Sequence, residues 1–271
     1  MKFSVLLSVY SKEQANYLHQ SLESIFQQTL LPTEVILIED GPLTKELNEV
    51  IGNYVKKYPE LKIISLSENQ GLGRALNEGL KYCSYDLVAR MDTDDIAKPN
   101  RFERQIQIFQ ERPELDVVGA WIDEFEENVS NIISTRKLPE IHKDICSFAK
   151  ERNPINHPVV MFRKKIVLAA GGYQHLPLFE DYYLWIRMLQ NGAKFYNVQE
   201  SLLYFRFSPA MFERRGGIKY IIYECRFQYI IKNLKFISFF QFLKNILARS
   251  VMRVLPNSLR TVLYKRILRG S

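Results

Sequence analysis

Cysteine is scarce in this chain of 271 residues. Cys83, Cys146 and Cys225 lie far apart, and none has a second cysteine at Cys-x-x-Cys spacing. That excludes a zinc ribbon and a disulfide framework, and it suits a reducing compartment. Histidine is also rare: His19, His142, His157 and His175 have no partner at metal-ligand spacing. Long apolar runs are missing, since no stretch approaches the roughly 18 residues of a membrane-spanning helix. The apolar start, Met1 to Tyr10, is short and lacks a small-residue cleavage site. It reads as a first strand, not a secretory leader. There is no internal repeat and no low-complexity linker. Acidic residues nearly vanish after residue 212, where thirteen Lys/Arg face two Asp/Glu; residues 1–212 hold 24 against 28. The overall charge of +7 therefore joins a mildly acidic body to a strongly basic tail.

What is present is an ordinary globular composition, 46% apolar and 25% charged. Phe3 to Val9, Glu34 to Ile38 and Leu87 to Ala89 read as apolar or buried strands, and Lys62 to Leu66 as a short strand. Between them, Glu13 to Gln28, Thr44 to Lys57 and Gly71 to Lys81 have helical spacing. That alternation predicts an α/β fold with a mostly parallel sheet flanked by helices. Further on, the pattern predicts helices over Asn100 to Arg112, Ile141 to Lys150, Lys164 to Ala170 and Glu180 to Asn191. It predicts strands over Asp116 to Trp121 and His157 to Phe162, and a hairpin within Glu124 to Leu138.

The densest chemical signal is Arg90-Met91-Asp92-Thr93-Asp94-Asp95, three carboxylates in four residues after a buried strand. The carboxyl ends of parallel strands form the ligand edge of an open α/β sheet. Carboxylates packed so closely repel unless a cation joins them, and hard oxygen ligands suit Mg²⁺ or Mn²⁺. An acidic loop that merely caps the next helix is the plainer alternative. Other strands also end in residues suited to a nucleotide. Val9-Tyr10-Ser11 follows the first. Glu39-Asp40-Gly41 follows the second, and Asp40 can accept the imide N–H of a uracil or ribose hydroxyls. Asn69-Gln70-Gly71-Leu72-Gly73-Arg74 opens a helix, where glycines permit close backbone approach and Arg74 offers charge to a phosphate.

Taken in order, Ser8-Val9-Tyr10, Glu39-Asp40-Gly41, Asn69 to Asn77, Met91 to Asp95 and Phe179-Glu180-Asp181 resemble the family-2 glycosyltransferases of the GT-A (Rossmann-like) fold. Asn153-Pro154-Ile155-Asn156-His157-Pro158-Val159-Val160-Met161-Phe162-Arg163 resembles their bacterial exopolysaccharide, capsule and O-antigen branch. The resemblance spans about residues 3–210. It implies a nucleotide-sugar donor, a divalent cation (Mn²⁺ or Mg²⁺) and inversion at the anomeric carbon. It implies nucleotide contacts at Val9, Tyr10, Asp40, Gly71, Arg74 and Asp92, with Asp92 and Asp94 as metal ligands and Asp95 behind them. Many relatives carry Ala-Arg-Asn where this chain has Ala75-Leu76-Asn77, and Arg74 then stands in for the missing charge. Asp181 is the candidate general base, kept ionised at a helix N-terminus; Glu180 orients it or binds acceptor hydroxyls. Simple helix capping is the alternative for both. Tyr182 and Trp185 are candidates for stacking on an acceptor sugar or for core packing, and His157 reads as structural.

The body is thus expected to be one GT-A domain over residues 1–212, followed by a helical, amphipathic tail over 213–271. In the tail, basic residues interleave with Ile221-Ile222-Tyr223, Phe227, Tyr229 to Ile231, Phe236 to Phe240 and Leu259 to Arg269. This suits helices on an anionic membrane surface, with helices packed on the catalytic domain and basic on their outer faces as the alternative, and is too aliphatic for a nucleic-acid arm. The resemblance implies a UDP-hexose donor, with galactose or glucose as the sugar. It implies an acceptor linked to a polyprenyl diphosphate and peripheral attachment to the cytoplasmic face of the plasma membrane. The absence of Gln-x-x-Arg-Trp argues against a processive synthase. A sugar-nucleotide pyrophosphorylase would open with a Gly-rich, Arg-containing loop, where this chain has Ser8-Val9-Tyr10-Ser11-Lys12. A non-catalytic sugar-nucleotide binding module is the remaining alternative.

Overall fold

The computed structural model describes residues 1–207 and 217–254. Arg214 and the basic stretch Leu259 to Arg269 lie outside the described residues. β1 (Phe3–Val9), β2 (Glu34–Glu39), β3 (Leu61–Ser65) and β4 (Leu87–Arg90) form a parallel block in the order β3-β2-β1-β4. β1 and β2 are apolar almost throughout because each is covered on both faces. The sheet continues through β8 (Met161–Arg163), β6 (Val117–Phe125), β9 (Phe195–Arg206) and β5 (Ile96–Ala97), with β7 (Ile132–Arg136) paired to β6. β8, β5 and β7 run antiparallel to their neighbours; the other six strands share one direction.

On one face lie α1 (Ala15–Phe26), α2 (Lys45–Lys57) and α4 (Arg101–Glu111), packed on Val5, Leu7, Val35 and Leu37. The opposite face carries α3 (Leu72–Tyr82), α5 (His142–Phe148), α6 (Lys164–Ala169) and α7 (Glu180–Gln190), packed on Leu6, Ile36, Ile38 and Val88. Strand order reverses between β1 and β4, and that switch point opens the crevice in which such sheets take ligands.

Two expectations change. His157 to Phe162 is not one strand: His157–Val159 is a 3-10 turn, and only Met161–Arg163 pairs. Pro158 lacks the N–H that a ladder needs. The twelve-residue β9 had no sequence signal, because its buried positions, among them Phe195, Asn197, Val198, Leu202 and Leu203, do not alternate.

Beyond β9, α8 (Gly217–Asn233) and α9 (Phe239–Val254) form an outer layer. Tyr220, Phe227, Ile231 and Ile237 pack on Leu176, Phe179, Tyr182 and Ile186. The ring of Phe227 stacks on Phe179 at 4.7 Å. α7 is therefore held between the sheet and this outer layer.

Candidate active site

The acidic turn sits just beyond β4. Asp92, Asp94 and Asp95 each bring one carboxylate oxygen within 4.8 Å of the other two. Arg90, wholly buried at the end of β4, donates from Nη2 to Asp92 Oδ1. Its carbonyl accepts from Arg101 Nη2 at 2.6 Å. The Arg206 backbone N–H donates to Asp95 Oδ1 at 2.8 Å, and Arg206 Nε to the Asp94 carbonyl at 2.9 Å. Ser21 Oγ donates to the Asp92 carbonyl at 3.0 Å. The turn is thus fixed from three sides while its carboxylates face one another.

The charges reflect this crowding. Burial, then Asp92 and Glu13, push the Asp94 carboxyl up to about 7. Burial, then Asp94 and Asp92, hold Asp95 well above the usual carboxylate range. Burial and the neighbouring Arg90 draw Arg101 down to about 9. Asp95 Oδ2 is buried without a hydrogen-bond partner among the described residues. Converging, mutually repelling hard oxygens and one orphaned carboxylate oxygen fit a divalent cation.

The end of β2 is organised by Asp40. Its Oδ1 accepts from the Gln70 N–H at 2.7 Å and its Oδ2 from the Gly71 N–H at 3.0 Å. Asp40 thereby latches the start of α3 to the end of β2, leaving each oxygen a second lone pair. Gly41 is required there: its φ is +85°, and a Cβ would stand 2.6 Å from the Asn69 nitrogen. Gly71 caps α3 at φ +87° with open space where a Cβ would be. Arg74 is exposed on the first turn of α3. Leu76 is fully buried against the sheet, so its position does not face the crevice. Of Val9 only the backbone reaches the edge, its carbonyl accepting from the Asp40 N–H at 2.8 Å; Tyr10 is exposed beside it.

The other wall is the N-terminus of α7. Asp181 is half-buried, and Asn153 Nδ2 donates to its Oδ2 at 2.6 Å. Burial raises its carboxyl above the ordinary value, while Asn153 and the Tyr182 N–H pull it back. Glu180 packs beside Gly73, where a Cβ would meet Glu180 Cγ at 3.5 Å, so the starts of α3 and α7 touch. Asn77 secures the same junction by accepting from the Tyr173 N–H at 2.8 Å and donating to its carbonyl at 2.7 Å. His157 Nε2 lies 2.9 Å from Tyr173 Oη, and burial and then Arg90 keep the ring neutral. Tyr182 and Trp185 are core residues, since both are buried and Tyr182 Oη donates to the Ala149 carbonyl at 2.8 Å. Arg90 is ion-paired to Asp92, and its charge also lowers the Asp181 carboxyl and the His157 ring.

The family model for glycosyl transferase family 2 matches residues 4–168. The chain belongs to that family. Over 99% of its length the transferase is 41% identical to an Escherichia coli protein, the UDP-Gal:alpha-D-GlcNAc-diphosphoundecaprenol beta-1,3-galactosyltransferase, covering 97% of it. It is 40% identical to an amylovoran biosynthesis glycosyltransferase of Erwinia amylovora, covering 99% of this chain and all of that one. Among solved structures, Staphylococcus aureus TarS in complex with UDP-GlcNAc superposes with a TM-score of 0.66 at 17% identity, over 98% of this chain and 76% of that one. The GT-A likeness of the transferase is thus one of fold as well as of motif.

Arg90, Asn153 and Arg206 carry the site without having been assigned a role from sequence. Arg90 and Asn153 lie inside the quoted motifs, and a lone arginine ending a buried strand beside three carboxylates is a usable signal. Arg206 has none, because it reaches Asp95 from 111 residues away.

Proposed function

We propose that the transferase moves one hexose, with inversion, from a UDP-hexose to a sugar on a polyprenyl diphosphate during surface-polysaccharide synthesis. The observation that carries this reading is the cluster of three convergent carboxylates just beyond β4, taken with the Asn153-bound Asp181 at the start of α7. The end-to-end similarity to the Escherichia coli galactosyltransferase supports both donor and acceptor class, with galactose first and glucose second as the sugar.

In this reading the nucleotide lies along Val9, Tyr10 and Asp40, with its diphosphate toward Gly71 and Arg74. Asp92 and Asp94 hold a divalent cation, Mn²⁺ or Mg²⁺, which supplies charge neutralisation for the diphosphate. The acceptor hydroxyl oxygen attacks the anomeric carbon as the bond to the diphosphate oxygen breaks. That bond's electron pair leaves with the diphosphate. Asp181 takes the hydroxyl proton, and Glu180 binds neighbouring acceptor hydroxyls. Attack opposite the leaving group turns an α-linked donor sugar into a β-glycoside. A lipid-linked acceptor requires the enzyme at the cytoplasmic face of the plasma membrane, and the basic tail supports peripheral attachment there.

The test is transfer of radiolabelled sugar from UDP-Gal, UDP-Glc and GDP- and CMP-sugars to a GlcNAc-diphosphate-lipid, with and without Mn²⁺. Transfer from one UDP-hexose that is lost on chelation is expected. No transfer from any donor by folded protein would return the binding-module reading. Binding is followed separately, since UDP at about 100 times its Kd should stabilise the fold by about 2.7 kcal/mol.

A further inference from the structure

The outer helices carry a surface that catalysis does not use. On α9 the side chains of Phe239 (55% exposed), Phe240 (82%), Leu243 (47%) and Leu247 (68%) stand in solvent. At about 100° per residue they fall within one stripe roughly 100° wide. Asn245 and Arg249 lie on the other side of the helix and face the protein. Asn245 Nδ2 donates to the Lys150 carbonyl at 2.8 Å and Arg249 to the Glu151 carbonyl. Lys244, at the margin of the stripe, donates to Glu151 Oε1 at 2.7 Å.

Two large phenylalanines and two leucines on one outward face make an apolar surface that is left exposed among the described residues. Charge says what covers it. α9 has no acidic residue. The only carboxylate side chain of α8 is Glu224, which is buried and ion-paired to Arg249. Arg226 and Lys235 are exposed on the outer layer, and Lys232 lies between Tyr229 and the Phe242 ring. A second copy of the chain would bring like charge against like charge. An anionic lipid surface matches both the apolar stripe and the basic flank.

We infer that the outward face of α9, built on Phe239, Phe240, Leu243 and Leu247, docks into an anionic phospholipid leaflet beside the acceptor side of the site. The inference rests on the reading that the acceptor is lipid-linked and deepens it by naming the surface that meets the lipid. The inner face of the same helix is bonded to the turn at Lys150 and Glu151, two residues before Asn153, which holds Asp181. Docking α9 therefore sets the α7 wall at the membrane, where a lipid-borne sugar arrives.

The test uses the full chain in flotation with vesicles of phosphatidylcholine alone and of equal parts phosphatidylcholine and phosphatidylglycerol. The wild type is expected to float with the anionic vesicles. Phe240→Ser/Leu247→Ser should lose at least tenfold in partitioning, and Lys235→Glu should lose the preference for anionic lipid. Leu31→Ser, an exposed leucine outside α9, should change nothing. The double variant should keep its melting temperature and its transfer to a short-chain, water-soluble diphosphate acceptor. Wild type that ignores anionic vesicles, or a double variant that floats as well as wild type, overturns the inference. So does a lipid-free dimer that the double variant splits, since the stripe would then join two copies. Loss of flotation in a protein that transfers no sugar to any acceptor would leave the docking face standing and remove the enzymatic reading instead.

Discussion

At the scale of single residues, the site places charge where solvation is poor and compensates it with a few chosen donors. Asp181 shows both sides of that balance, raised by burial and lowered by Asn153. A carboxyl whose folded value lies above its unfolded one favours folding least when ionised. The unfolded chain releases this proton at lower pH, so stability is lost as pH rises from about 3.9 through the raised value. Asp181→Asn should therefore raise the melting temperature at pH 7 and give no gain near pH 3. The same change should cut transfer by roughly 10²- to 10⁴-fold, the usual contribution of a general base, while UDP still binds. Retained activity would remove Asp181 from the chemistry. Asn153→Ala removes the donor and leaves the burial, so the carboxyl should rise further. The acid limb of the kcat/KM profile should then move to higher pH, with activity partly recovered in alkali. A uniform loss at every pH would mean that Asn153 only supports the backbone.

At the scale of elements, the strand ends and helix starts do the positioning, and their glycines are where substitution is decisive. Gly41→Ala demands a left-handed φ of a residue with a Cβ, against the Asn69 nitrogen at 2.6 Å. A cost of about 1–3 kcal/mol is expected in denaturant unfolding. UDP affinity should fall too, because the Asp40 latch on Gln70 and Gly71 is displaced. Gly52→Ala, inside α2 with open space around it, should have the opposite sign, adding about 0.4–1 kcal/mol. These elements were readable from sequence for a physical reason. β1, β2 and β4 are buried almost throughout, so they appear as apolar runs, and each leads into polar residues of the candidate site; β3 is a half-exposed edge strand, legible only through Ile63 and Ile64. β8 is only three residues long and follows a proline. β9 twists past β6 with shifts of register that erase its alternation. The acidic turn and Asp181 were legible because their residue types are unusual where they stand. The hydrogen bonds that fix them join residues 28 and 111 positions apart, and no local pattern encodes such pairings.

At the scale of the molecule, the basic tail and the acidic body are joined through α7. One side of α7 packs Leu184, Trp185 and Met188 into the sheet core, and the other packs Tyr182 and Ile186 against α8. The helix that presents Asp181 thus has an apolar surface on two sides, and the second is covered by residues that follow the family-matched segment. Phe227 is the centre of that cover, fully buried, stacked on Phe179 and in contact with Tyr182 at 4.7 Å between ring centroids. Phe227→Ala should cost roughly 3–5 kcal/mol, read as a lower midpoint in urea. A chain ending at residue 212 loses the whole cover, leaving Phe179, Tyr182 and Ile186 against water, and should aggregate or fail to fold rather than yield a soluble catalytic domain. The two results together separate architecture from attachment. If the shortened chain folds with an unchanged melting temperature, α7 needs no outer layer and the tail serves attachment alone. If it fails while the solvent-face variants of α9 stay folded, the inner face of the tail completes the catalytic domain and its outer face is left for the membrane.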